Sequence, residues 1–417
     1  MPPMSRPHLP YCAALIAALL AACTQVNVHG DPKAWAQSQN DTASAADARL
    51  RVATYNTSLY DDADGGLIRR LQAGDGNARK IAAVLQRVRP DLVLLNEFDY
   101  DAQQRAADLF QHDYLEVAQP GGGEALRYPY RYLAPVNTGV PSGLDLDGDG
   151  QSGDAQRADR ARGNDAWGYG LHPGQYGMLV LSRYPIDVDA VRSFQKFKWS
   201  ALPGARQPRD PKTGKPWYTA KVWPQMRLSS KSHWDVPVRT PLGVLHFLAA
   251  HPTPPVFDGP EDRNGARNHD EIALWARYLD GGTPSWLCDD QGRCGGLAGD
   301  ARFVIVGDMN ADPVDGDGVP GSIKQLLDHP RVDSSHVPNS EGAAQRATFY
   351  GFPRKGNIHE HTGDFGPKAG TLRLDYVLPS RGWTVRETGV FWPRSDSEEA
   401  KISEASDHHL VWMDLTN

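Results

Sequence analysis

Six short apolar runs each end on, or open from, a residue that can bind a cation or move a proton. Asn56 closes LRVATYN, Glu97 closes DLVLLNE and His251 closes VLHFLAAH. Asp308 and Asn310 end FVIVGDMN, Asp375 sits inside LRLDYV, and Asp407 and His408 open SDHHLVWMDL. Hard divalent cations take carboxylate and amide oxygens. A carboxylate beside an imidazole fixes its tautomer and raises its basicity. Hydrolysis of a phosphate ester calls for a cation, a base for water and donors for the developing charge, and these residue types supply all three. Singly each has a plainer explanation: a strand-end Asn or the Asp of a Gly-Asp pair is commonly a turn residue, and His251 before Pro252 is a loop histidine. Their recurrence on six runs is what carries weight, because ligand sites of α/β sheets collect at strand ends.

The elements that must position these residues are legible as runs and periods. Strand-like apolar runs cover 50–55, 91–95, 177–181, 244–250, 303–306, 372–378 and 409–415. Between them, 77–89 places Ile81, Val84, Leu85 and Val88 on one helical face and stops before Pro90, while 262–279 carries Ile272, Trp275 and Leu279. Strands alternating with helices predict an α/β fold. Long insertions at 120–174, 192–235, 281–300 and 312–370 exceed ordinary loops and decorate one large domain spanning 49–417. Gly and Pro make up about 17 per cent of the 417 residues, below the roughly 25–30 per cent of low-complexity disorder. The net charge of −7 argues against a surface that coats nucleic acid everywhere, so a polyanion site must be a local patch.

The N-terminus is a separate matter. The apolar run 11–23 has Arg6 before it and small residues at its end, the organisation of a signal peptide, and is shorter than the roughly 20 residues of a membrane-spanning helix. Leu20-Ala21-Ala22-Cys23 resembles the bacterial lipobox. That resemblance implies a signal peptide over 1–22, acylation of Cys23, and an exported protein held by lipid at an outer membrane or cell surface. The plainer alternative is ordinary cleavage and a periplasmic or secreted product. Residues 24–48, rich in Ala, Ser, Asp, Gln and Asn, read as a flexible tether. Cys288 and Cys294, six apart in a polar loop, read as a disulfide in an exported chain, the alternative being two free thiols.

TYN (Asn56), LLNE (Glu97), the strand-end His251, GDMN (Asp308, Asn310), LRLDYV (Asp375) and SDHH (Asp407, His408), in that order over about 50–415, resemble the endonuclease/exonuclease/phosphatase superfamily. The resemblance implies a four-layer α/β/β/α sandwich, two mixed β-sheets packed face to face with helices outside. It implies that Glu97 binds Mg²⁺ or Mn²⁺ with Asn56 and Asp407 close by. Asp308 and Asn310 would position and help deprotonate water. Asp375 would orient His408, which contacts phosphate or acts as base, and His251 could protonate the leaving oxygen. Asn96 departs from the Gln that many members carry before the metal Glu.

Two further segments suggest binding. Asp145, Asp147 and Asp149, followed by Gly150, resemble the start of a calcium loop, although Gln156 stands where a bidentate Glu is expected. The alternative is a solvated acidic turn. The insertion 192–231 holds ten basic residues against Asp210 alone, with aromatic residues interleaved. Arg192, Lys196 and Lys198 are its leading candidates for holding a phosphate-rich substrate, and the alternative is a packed loop with solvated charges. The expected activity is metal-dependent hydrolysis of a phosphodiester or phosphomonoester, with nucleic acid, phospholipid or a small phosphoester as substrate, by a monomer. The competing readings are a phosphate-scavenging phosphatase and a catalytically silent surface binding protein on the same fold.

Overall fold

The computed structural model describes residues 48–152 and 160–417. Two mixed sheets form its centre. One runs in the order β12-β13-β1-β2-β4-β3: Thr384–Val390, Val411–Thr416, Leu50–Leu59, Leu92–Phe98, Met178–Ser182 and Tyr130–Tyr132. The other runs β11-β8-β7-β6-β5: Asp375–Pro379, Phe303–Asp308, Gly243–Ala250, His233–Thr240 and Arg192–Ser193. β9 (Gly363–Asp364) and β10 (Thr371–Leu372) pair separately. Each large sheet has one parallel pair, β1 with β2 and β7 with β8.

The strands read as unbroken apolar runs because both faces are covered. Val52, Leu92, Leu94 and Val180 point to the inter-sheet core, where they meet Val236, Phe247, Val304, Val306 and Val377. Their alternates Ala53, Tyr55, Val93, Leu95 and Leu179 face outward onto helix α1, Gly76–Val88. Asp75 caps that helix by accepting from Ala78 N–H, and its apolar face is the expected Ile81, Val84, Leu85 and Val88. On the outside of the second sheet, Leu248, Ala250, Phe303 and Ile305 pack on α2, Arg263–Leu279, through Ile272, Trp275 and Leu279. The result is the expected four layers. A third helix, α3 (Glu341–Tyr350), lies within the 312–370 insertion; Ser340 caps its start and Gly351, at φ 69°, ends it.

The 192–231 insertion is not a solvated aromatic patch. Phe194, Phe197, Trp199 and Tyr218 are buried against α2, and Trp217 and Trp223 pack on the same cluster. Cys288 and Cys294 are joined by a disulfide. In their loop Asp290 accepts from Gln195 N–H, Lys196 N–H and Ser193 Oγ–H, tying it to the start of the insertion.

Gly307 shows what the site demands of its scaffold. Its φ is 146°, and a Cβ there would collide with the carbonyl oxygen of Ala250 on the neighbouring strand. Gly307→Ala is therefore expected to lose about 1–3 kcal/mol of stability from backbone strain, read as an earlier urea midpoint. An unchanged midpoint would mean the strands can part there without cost.

Candidate active site

The C-terminal ends of the two parallel pairs lie together. Register places Asn56 beside Asn96 across β1 and β2, and Asp375 beside Asp308 across β11 and β8. Asn96 bridges the sheets: its Oδ1 accepts from Asp308 N–H at 3.2 Å and its Nδ2 donates to Ala250 O at 3.4 Å. This amide therefore sets the backbone of Asp308. The turn after β8 closes with Asn310 at φ 49°, its N–H on Asp308 Oδ1 at 2.9 Å and its Nδ2 on Pro252 O at 3.1 Å.

Three side chains converge on the other oxygen of Asp308. Asn56 Nδ2 donates to Oδ2 at 3.1 Å, while His251 Nε2 stands 3.4 Å away and His408 Nε2 3.6 Å away. Behind His408, Nδ1 is 2.8 Å from Asp375 Oδ2, which also accepts from Thr362 Oγ1 at 2.7 Å. All of these groups are buried. Asp407 lies at the mouth, where its Oδ1 accepts from Ser58 Oγ at 3.3 Å. Ser406 Oγ donates to Asn56 O at 2.8 Å, linking that loop to β1.

Electrostatics separates the roles. Burial would raise Asp308, but the charge of His408 and the hydrogen bond from His251 hold it below the usual carboxylate range. Burial likewise opposes charge on His408, and the carboxylates of Asp375 and Asp308 overcome it, lifting the imidazole well above its ordinary value. Burial pushes Asp375 up to about 6. His251 goes the other way, to about 4, through burial and then the nearby Lys231 charge. It is neutral at pH 7 and has a buried Nδ1 without a hydrogen bond. A neutral imidazole holding Asp308 through Nε2–H is poorly suited to protonating a leaving oxygen, so its geometry fits positioning better than acid catalysis.

Lys231 is 5 % exposed and has no hydrogen bond or ion pair to its ammonium among the described residues. Burial lowers its pKa, opposed by Glu271, Glu97 and Asp308. Its ammonium faces the Glu97 and Asp308 carboxylates and could meet a phosphoryl oxygen between them. Lys231→Met is expected to raise the thermal midpoint, since the charged form is disfavoured by folding, and to lower kcat/KM about 10–100-fold, the range for a lost charged hydrogen bond. A lower midpoint with unchanged kcat/KM would make Lys231 purely structural.

Glu97, held at φ 56° at the end of β2, likewise has no hydrogen bond or ion pair among the described residues. Burial and then the charge of Asp407 push its carboxyl up to about 7. Two carboxylates at one mouth, one of them unpaired, with the Asn56 amide close by, are a donor set suited to a hard divalent cation. Deeper in, ligand atoms of Asp308, Asp375 and His408 lie within 4.8 Å of one another, and with Nδ1 held by Asp375 the Nε2 of His408 faces Asp308, so this buried group could also hold a metal.

The sequence pattern of the Endonuclease/Exonuclease/phosphatase family matches residues 53–408. The chain belongs to that family. As a family member it is a metal-dependent hydrolase of phosphate ester bonds. No curated protein matches it. Among solved structures it is similar to an endonuclease/exonuclease/phosphatase from Beutenbergia cavernae DSM 12333, at 20% identity and a TM-score of 0.47, covering 88% of this chain and 71% of that one. Sphingomyelinase C from Streptomyces griseocarneus is 18% identical, with a TM-score of 0.44 and coverage of 89% and 100%. A Staphylococcus aureus beta toxin with bound magnesium ions is 11% identical, with a TM-score of 0.41 and coverage of 89% and 100%.

Not every expected residue of this phosphoesterase joins the site. Arg192 is turned inward: its guanidinium donates to Asp289 Oδ2, Gly295 O and Arg293 O. It anchors the disulfide loop, and the expectation that it binds substrate is corrected on that ground. Lys198 Nζ donates to Gln225 O and Lys196 is exposed, with no contact from either to the Asp308 cluster among the described residues. Lys231, at the end of that insertion, does reach the site, its charge acting on Glu97, Asp308 and His251. The oxygens of Asp145, Asp147 and Asp149 lie within 4.8 Å of one another but accept backbone N–H bonds from Gly148, Asp149, Gly150 and Gln151, as an acidic turn would. Gln156 and Cys23 lie outside the described residues.

Proposed function

We propose that this protein is an exported lipoprotein that hydrolyses phosphodiesters by in-line attack of water, with Mg²⁺ or Mn²⁺ bound at Glu97. The convergence of Asn56, His251 and His408 on one oxygen of Asp308 carries the reading. When bound, the cation supplies charge neutralisation at the phosphoryl group. The chain's own residues do the rest. Asp308 and Asn310 hold the water and Asp308 accepts its proton, while Asn56 and His251 keep that carboxylate in place. Asp375 holds His408 cationic, so that Nε2–H can donate to a phosphoryl oxygen, and Lys231 offers a second positive contact. Phosphoryl transfer is mostly positioning and electrostatics, which suits an Asp of low basicity.

The cavity that meets the cleft at Asp407 leaves room for a second ester arm and so favours a diester. Export is supported by the 20–23 motif and by the disulfide, which persists in oxidising compartments. Mass spectrometry of the native N-terminus is expected to find Cys23 as a diacylglyceryl-modified first residue. An unlipidated N-terminus would leave simple secretion. Release of nitrophenol from bis(4-nitrophenyl) phosphate in Mg²⁺ or Mn²⁺ tests the activity itself.

A further inference from the structure

Beside the catalytic cleft is a cavity of about 400 Å³ whose rim includes Ser406 and Asp407. Trp392 and His409 line it, with rings stacked at 3.8 Å and 19°. Arg346 and Phe349, one helical turn apart on α3, also line it. Phe349 is 77 % exposed, on the face of α3 opposite the buried Ala343, Ala344 and Ala347. Arg346 is held in place: Nε lies 3.0 Å from Asp364 Oδ2, and the guanidinium stands over the rings of Phe349 and Tyr350 at 6.0 and 5.8 Å. The floor is tied to the catalytic pair as well. His409 N–H donates to Thr362 O, and Thr362 Oγ–H donates to Asp375.

We propose that this cavity is the subsite for the second ester arm and that it takes a flat aromatic ring, stacked on Phe349 beside the guanidinium of Arg346. The inference rests on the phosphodiesterase reading above. The position follows from continuity: Ser406 and Asp407 line the cavity, and the same two residues border the site, Ser406 Oγ donating to Asn56 O and Asp407 accepting from Ser58. The chemistry follows from the wall. A single exposed aromatic needs no explanation, but one set beside a fixed cation forms a two-part platform. A ring gains from both parts, by stacking and through its π-face. An alkyl chain would gain from Phe349 but would strip water from Arg346 without replacing its contacts.

The test uses the full-length protein and two diesters with one leaving group, phenyl 4-nitrophenyl phosphate and methyl 4-nitrophenyl phosphate. The phenyl ester is expected to be preferred in kcat/KM by roughly tenfold or more, the scale of one stacked ring. Phe349→Ala and Arg346→Met should each erase most of that preference through KM and leave the methyl ester within about twofold of wild type. Calorimetric binding of diphenyl phosphate against dimethyl phosphate, neither of which needs turnover, should show the same preference and the same loss. Equal response of both esters and both anions would overturn the subsite. A dodecyl arm that binds as tightly as phenyl and ignores Arg346→Met would overturn the flat-ring chemistry in favour of a lipid arm. If no diester were hydrolysed while Phe349-dependent binding of diphenyl phosphate persisted, the diesterase reading would fall and the ring subsite would stand.

Discussion

Asp308→Asn is expected to lower kcat by about 10²–10⁴, the range for a positioned acid–base group, with little change in KM or in the circular dichroism spectrum. The substitution keeps the shape and the Oδ1 contact to Asn310 N–H. It removes the charge on which Asn56, His251 and His408 converge. Turnover then loses both the acceptor for water's proton and one of the three carboxylates, Asp375, Asp308 and Asp407, that hold His408 cationic. Because Lys231 and the Glu97 end remain, ground-state binding should survive. Steady-state kinetics decides: a variant within a few-fold of wild type in kcat would remove Asp308 from the chemistry.

Glu97→Gln should be nearly as costly, by another route. The carboxyl sits at about 7 in the metal-free protein, first through burial and then through Asp407, so proton and cation compete for it. At subsaturating Mg²⁺, wild-type activity should fall as pH drops through about 7 and recover with added metal. The linked stability has a definite sign. A carboxyl raised on folding favours the folded state below its ordinary 4.5 and loses that contribution as pH rises to about 7. The Gln variant should therefore melt higher than metal-free wild type at pH 8, yet gain nothing from Mg²⁺ or Mn²⁺, which should stabilise wild type. A Gln variant that is still stabilised by the cation and still turns over in its presence would move the metal elsewhere.

Much of this was readable in the residues because the strands are buried on both faces and end in chemistry. Helix α1 and the core of α2 follow from their periods, and the residues at Asn56, Asp308, Asp375 and His408 do meet. What the sequence concealed has physical causes. Strand β6 went unread, its first three residues falling inside the 192–235 insertion, because His233, Asp235 and Pro237 interrupt its apolar pattern, and the polarity of the first two is absorbed locally: His233 bonds Glu271 O, and Asp235 bonds His246 and Tyr278. The run 372–378 is two strands, since Arg373 N–H turns away to Asp312. The aromatic residues of 192–231 looked like a binding surface because composition does not say which side a ring faces; they form core. Lys231 was counted in that patch rather than in the site. Without β6 nothing in the sequence marked it: the pairing of β6 with β7, His233 opposite Ala250, is what brings the segment just before β6 alongside His251.

The most direct measurement is hydrolysis of bis(4-nitrophenyl) phosphate by the full-length protein, with and without chelator, beside its His408→Ala variant. Release of nitrophenol that requires Mg²⁺ or Mn²⁺, stops in EDTA, returns on adding the cation and falls at least about a hundredfold in the variant is the expected result. Turnover that persists in excess chelator, or that the variant retains in full, would contradict the assignment.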